Sequence, residues 1–236
     1  MPSAPLPSPH EGLLAAVRAA LLPHADPERA AGQQRYMKST LPYLGLTSPA
    51  LRRVLRPVWA DPIHRIEHRG QWEATIRALW DGASHREHWY AALALYGHRT
   101  YASWRDPQMV PLLEDLIRSG AWWDVVDDIA THHVRELLLG WPDVIAPVLR
   151  EWSRDEFLWI RRAAIIAQVG AKERTDTALL TDVVEGNISD PDFFSRKAIG
   201  WVLRDYARTD PQWVRAFVAD HPDLSGLSRR EALKHL

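Results

Sequence analysis

The chain has 236 residues, 46% hydrophobic and 25% charged, a length and balance that suit an ordinary globular protein with a substantial core. A formal net charge of −1 excludes a global basic footprint, so any attraction to nucleic acid must come from charge segregated onto one face. The absence of cysteine excludes disulfides and thiolate metal sites, and no apolar run approaches the roughly 18 residues of a membrane span.

The opening Met1-Pro2-Ser3-Ala4-Pro5-Leu6-Pro7 is proline-rich and lacks the basic and apolar regions of a signal peptide. It reads as a flexible lead over 1–7, ahead of a single domain over 8–236 in a cytoplasmic protein. Helix starts then follow in order: Ser8-Pro9, Asp26-Pro27, Ser48-Pro49, Asp61-Pro62, Asp106-Pro107, Asp190-Pro191 and Asp210-Pro211. Each sets a side-chain oxygen that can take an orphan amide before a proline that has no amide to lose. Capping boxes are expected at Ser8 with Glu11, Ser84 with Glu87, Ser153 with Glu156 and Ser228 with Glu231. Between these marks apolar residues recur at three and four, as in Leu112, Leu113, Leu116 and Ile117, and no alternating β-branched stretch competes. The prediction is an all-α chain of about a dozen helices. A compact bundle and a stack of HEAT-like helix pairs both fit, and the even cap spacing favours the stack, whose curved face suits an elongated partner.

The most informative segment is Ala121-Trp122-Trp123-Asp124-Val125-Val126-Asp127-Asp128. At about 100° per residue, Trp122, Val125, Val126, Ile129 and Leu137 form an apolar stripe. Trp123 and Asp127, four apart, share its flank, while Asp124 and Asp128 fall on a more polar side. An indole and a carboxylate held together at a wall suit chemistry on a developing cation. About 100° separates Asp128 from Asp127, so Asp128 is expected to face solvent.

Basic clusters lie at Arg52, Arg53 and Arg56; at Arg161 and Arg162; at Arg196, Lys197 and Arg204; and at Arg229, Arg230 and Lys234. Aligned, they would neutralise phosphates; dispersed, they are solvated helix faces paired with acids. Phe194 and Trp201 are seven apart and share a face, Phe193 and Lys197 share another, and Trp159 lies three before Arg162. Each of these aromatics reads as core packing or as part of a groove. Trp72, Trp80, Trp89, Trp104, Trp141, Trp152 and Trp213 are read as packing.

Several runs together carry a resemblance. They are Arg35-Tyr36-Met37-Lys38, the segment from Gly120 to Asp127, Arg162-Ala163-Ala164-Ile165, the run from Phe193 to Arg204, and Ser228-Arg229-Arg230-Glu231-Ala232-Leu233-Lys234-His235. In combination they resemble the DNA alkylation repair (AlkD-like) glycosylases, built of HEAT-like helical repeats, from about Glu11 to the C-terminus. The resemblance implies a monomeric enzyme that hydrolyses the N-glycosidic bond of cationic N3- and N7-alkylated purines in duplex DNA. It implies no base flipping and no metal or organic cofactor, because the leaving group is already activated. By motif position Asp127 would stabilise the oxocarbenium-like sugar and activate water, with Trp123 and Trp201 packing on the deoxyribose. Arg162 would hold a phosphate near the lesion. Tyr36, Lys38, Phe193, Phe194, Lys197, Arg204, Arg229, Arg230 and Lys234 would line the DNA. Asp128 departs from the pattern, where a small polar residue is expected. Lesion range stays open, from methyl groups to bulky adducts, and so does the choice between housekeeping repair and antibiotic self-resistance.

Two other readings remain at this stage. Asp124, Asp128 and His132 recur every four residues and, with His133, His85 and His88 elsewhere, offer donors to a divalent cation. Alternatively the protein is a non-catalytic DNA- or protein-binding scaffold, with Asp127 a structural partner of Arg162.

Overall fold

A computed structural model describes residues 7–236, so the expected lead lies outside the described residues except for Pro7. Among the described residues all regular structure is helical, as expected, with fourteen α-helices, short 3-10 turns and one π-helical stretch. The chain divides into two compact units, one ending at Trp104 and one spanning Arg105–Leu236.

The first unit holds α1 (Glu11–Leu21), α2 (Pro27–Met37), α3 (Ser48–Ala60), α4 (Arg69–Asp81) and α5 (Arg86–Tyr96). α4 and α5 pack as a pair, and α1 lies against α3, α4 and α5. Trp72 anchors the core. Its ring meets Tyr96, Tyr101 and Trp104 with centroids 5.3, 6.1 and 6.0 Å away, and its indole N–H donates to the Leu95 carbonyl.

The second unit holds α6 (Val110–Gly120), α7 (Trp123–Asp128), a π segment (Ile129–Val134), α8 (Arg135–Gly140) and α9 (Pro142–Trp152). It continues with α10 (Leu158–Ile166), α11 (Thr177–Glu185), α12 (Phe193–Tyr206), α13 (Pro211–Asp220) and α14 (Gly226–Ala232). The predicted stripe of α6, Leu112, Leu113, Leu116 and Ile117, is fully enclosed, each side chain contributing about 2 kcal/mol by burial. α10 is central: α6, α7, α9, α11, α12 and the π segment all pack on it. Its residues from Ile160 to Ile166 read Ile-Arg-Arg-Ala-Ala-Ile-Ile, apolar almost all round as such a position demands. Helices stacked on successive neighbours in this way are the expected helical-repeat architecture.

The caps differ in detail from expectation. Asp26 and Asp210 cap α2 and α13 as predicted, whereas Asp61 and Asp106 cap 3-10 turns. His10 rather than Ser8 caps α1, Thr47 rather than Ser48 caps α3, and Asp192 rather than Asp190 caps α12. In each case the capping side chain comes from the residue that immediately precedes the first helical one. None of the four capping boxes carries its helix start. Ser153 donates to the Arg150 carbonyl, and Ser228 donates to the Arg196 carbonyl while Ser225 caps α14. Glu87 is fully buried and gathers the amides of Leu44, Gly45 and Leu46 at 2.8, 2.8 and 3.0 Å.

Candidate active site

α6 ends at Gly120 and is capped by Ala121, whose φ of 38° puts a non-glycine residue in the left-handed region at a cost of about 1 kcal/mol. Trp122 is extended, and α7 starts at Trp123. Apart from Thr131, the buried residues that follow come in pairs four apart: Val125 and Val126, Ile129 and Ala130, His133 and Val134, Leu137 and Leu138. In an α-helix twelve residues overshoot three turns by roughly 120°, which would turn Leu137 away from Val125. The π segment recovers most of this, because each residue of a π-helix turns roughly 20° less. Its widened ladder is visible where the Arg135 amide reaches back five residues to the Ala130 carbonyl. The four-residue repeat thus keeps one continuous core face, and it brings Trp123, Asp127, Thr131 and Arg135 onto one flank.

Asp127 meets α10 on this flank. Arg162 grips its carboxylate with both branches, Nε to Oδ1 at 2.7 Å and Nη2 to Oδ2 at 2.8 Å. The third branch donates to the Phe194 carbonyl at 2.8 Å, tying α12 to the pair. Arg162 is only 5% exposed, so every direction of its guanidinium is spent inside the protein. The expectation that it holds a phosphate is therefore not what the free protein displays; it holds the carboxylate. Asp127 keeps 16% of its side chain open. Burial pushes its carboxyl above the ordinary value, opposed by the hydrogen bonds and charge of Arg162 and aided by nearby Asp124. Each oxygen uses one lone pair on Arg162 and retains another.

Aromatic rings support the clamp. Phe194 packs on Trp159 and Trp122, with centroids 4.9 and 5.7 Å away, and the Arg162 guanidinium carbon stands 5.9 Å from the Phe194 ring. Trp122, Trp159 and Phe194 thus pack on one another, with Trp122 and Phe194 half-buried rather than enclosed. Phe193, the neighbour of Phe194, is more open, at 53% exposure. Trp123 and Trp201 are both half-buried. Trp201 stands two turns, about 10 Å, beyond Phe194 along α12.

The basic residues separate into committed and open groups. Lys197 and Arg204 both pair with Glu231 of α14, on the side of α12 that carries Trp201. Gly200 permits that approach, since a Cβ there would stand 2.5 Å from the Glu231 Cβ. Arg161 is bound to Asp190, which also accepts from the Ser195 hydroxyl. Arg229 donates to the His221 carbonyl, while Arg230 and Lys234 are exposed. In the first unit Tyr36 is 74% exposed, and Lys38, Arg52, Arg53 and Arg56 are exposed as well. Trp141, expected to be packing, is 40% exposed at the start of α9.

Asp128 is half-exposed and turned from Asp127, as expected, and pairs with His132 at 3.0 Å. Among the described residues no three His, Asp or Glu side chains are grouped as metal ligands. Sequence reasoning missed three contributors: Thr131 beneath Asp127, Glu231 between two cations, and Phe194 as a carbonyl acceptor. Only the first left a signal, in the four-residue repeat from Val125 to Leu138.

The geometry is thus a half-buried carboxylate in a bidentate arginine clamp, on an underwound helix of an all-α array. Comparison with known proteins places it. No curated protein matches the chain significantly. The solved structure of a predicted DNA alkylation repair enzyme from Enterococcus faecalis is similar, with a TM-score of 0.76 and 27% identity, over 90% of this chain and 96% of that one. A family model described as DNA alkylation repair enzyme matches residues 17–236, spanning every element of the second unit and most of the first, and on that match the chain belongs to the DNA alkylation repair enzyme family.

Proposed function

We propose that the protein is an alkylpurine DNA glycosylase that hydrolyses the N-glycosidic bond of cationic N3- and N7-alkylated purines in duplex DNA. The observation that carries this reading is Asp127: a carboxylate gripped by Arg162, partly open, one helical turn from half-buried Trp123. Its unused lone pairs take a proton from water or face the positive charge that grows on the deoxyribose as the base departs. The low local dielectric makes that attraction stronger than in water. A positively charged base leaves without protonation, so no general acid, metal or organic cofactor is required. Trp123 and Trp201 offer π faces to the sugar and its backbone. Exposed Tyr36, Lys38, Phe193, Arg230 and Lys234 contact the duplex, with Arg229 beside them. Lys197 and Arg204 contribute through whatever positive charge Glu231 leaves. A base need not be flipped into a pocket, so bulky adducts are admissible substrates. Residues 8–236 act together as one monomeric DNA-binding array, inside the cell.

The Asp127–Arg162 pair itself favours a second reading, a scaffold whose acid only joins α7 to α10. Release of 7-methylguanine and 3-methyladenine from methylated duplex DNA separates the two. The glycosylase reading expects release by the wild type, and its loss in Asp127→Asn with DNA binding retained. Release from neither methylated DNA nor bulky-adduct DNA by a folded wild type would leave the scaffold.

A further inference from the structure

The junction between α7 and the π segment contains a side chain that the reaction as described does not use. Thr131 is buried, and its hydroxyl donates to the Asp127 carbonyl at 2.7 Å. The ladder changes register here: the Ile129 amide still reaches Val125, four back, whereas the Arg135 amide reaches Ala130, five back. Carbonyls at such a change lose the uniform restraint of an α-helix and are free to tilt. A threonine hydroxyl returning four residues is one way to restrain such a carbonyl. Because Thr131 is enclosed, water does not compete for the bond.

We propose that Thr131 is a positioning residue for Asp127, its hydroxyl fixing the phase of the α-to-π junction and so presenting the carboxylate squarely to Arg162. The inference rests on the role given to Asp127 above. α10 packs on both α7 and the π segment, so the Arg162 side of the clamp is held by a rigid neighbour. The Asp127 side depends on helix phase. A small rotation about the junction moves the carboxylate sideways and breaks the matched pair of 2.7 and 2.8 Å bonds. Reaction geometry is sensitive to displacements of this size.

The test compares wild type with Thr131→Val, nearly the same shape without the donor, and Thr131→Ser, which keeps the donor. Thr131→Ala replaces the valine variant if that one does not fold. Two readouts are used. The Arg162 Nε–H resonance in a nitrogen-15 spectrum reports the clamp, and single-turnover release from methylated duplex reports the chemistry. In Thr131→Val the resonance should shift and broaden, and the rate at saturating enzyme should fall roughly ten- to hundredfold at unchanged DNA affinity. Thr131→Ser should restore both. An Arg162 resonance and a rate unchanged in Thr131→Val would overturn the inference, as would a serine variant as impaired as the valine. Absence of release by the wild type from methylated and bulky-adduct DNA alike would overturn the glycosylase reading, while the resonance would still decide whether Thr131 positions the carboxylate.

Discussion

At the scale of single residues, the Asp127–Arg162 pair sets two opposing demands. Burial raises the Asp127 carboxyl and the guanidinium restrains it. If the ionised form does the chemistry, release should fall on acidification through a value above that of an ordinary aspartate. Arg162→Lys keeps the charge but removes one of two parallel bonds, so the acid limb should move to higher pH and the maximal rate should drop; a pH–rate profile of both proteins checks this. Arg162→Ala should cost about 3 kcal/mol or more of stability, since it strands a buried carboxylate. His133 gives a separate pH signature. Burial holds its imidazole down to about 4, against 6.5 in the unfolded chain. The unfolded state therefore binds the extra proton between those values, and stability is lost as pH falls through that window, by up to about 1.4 kcal/mol per unit. His88, lowered to about 4 chiefly by burial, acts in the same direction. Urea midpoints at pH 7 and pH 5 should show the loss, smaller in His133→Gln.

At the scale of elements, α12 and α14 meet closely because Gly200 has no side chain. Gly200→Ala should lower stability by about 1–2 kcal/mol despite alanine's better helix propensity, because the new carbon would stand 3.1 Å from the Ser228 carbonyl as well as against Glu231. A thermal melt tests the sign. The same element shows what the sequence could convey. That α12 starts near Asp190 was legible from cap chemistry, though Asp192 turned out to be the cap, because Asp190 is drawn to the Ser195 hydroxyl and to Arg161, twenty-nine positions away. The shared flank of Trp123 and Asp127 was legible because α7 is regular over those residues. The π segment was hidden, since a fixed turn of about 100° already leaves Leu137 within the stripe, at the edge opposite Val125, so the residue types demand no rewinding. The partner of Arg162 was open to local reasoning only as one alternative, because it is thirty-five positions away along the chain.

At the scale of the whole molecule, a net charge of −1 hides an uneven distribution. Committed cations such as Arg161, Arg162 and Arg204 are neutralised internally, whereas Arg52, Arg53, Arg56, Arg230 and Lys234 stand exposed. Duplex affinity should therefore weaken steeply with salt, and Arg230→Ala or Lys234→Ala should each lower the slope of log K against log salt by about 1 if it meets a phosphate. Substituting Arg161 should leave that slope alone. No helix among the described residues is long and apolar enough to cross a membrane. The loop joining α2 to α3 carries one further consequence, through Glu87. Surface connections are ordinarily where kindred proteins gain or lose residues. Here three successive amides are measured against one carboxylate on a helix forty-one to forty-three positions downstream, and Gly45 between them adopts a φ of 97° with no room for a Cβ. Adding or removing one residue would pull the amides out of step and strand the charge, so this connection should hold its length through divergence as strictly as a core helix does.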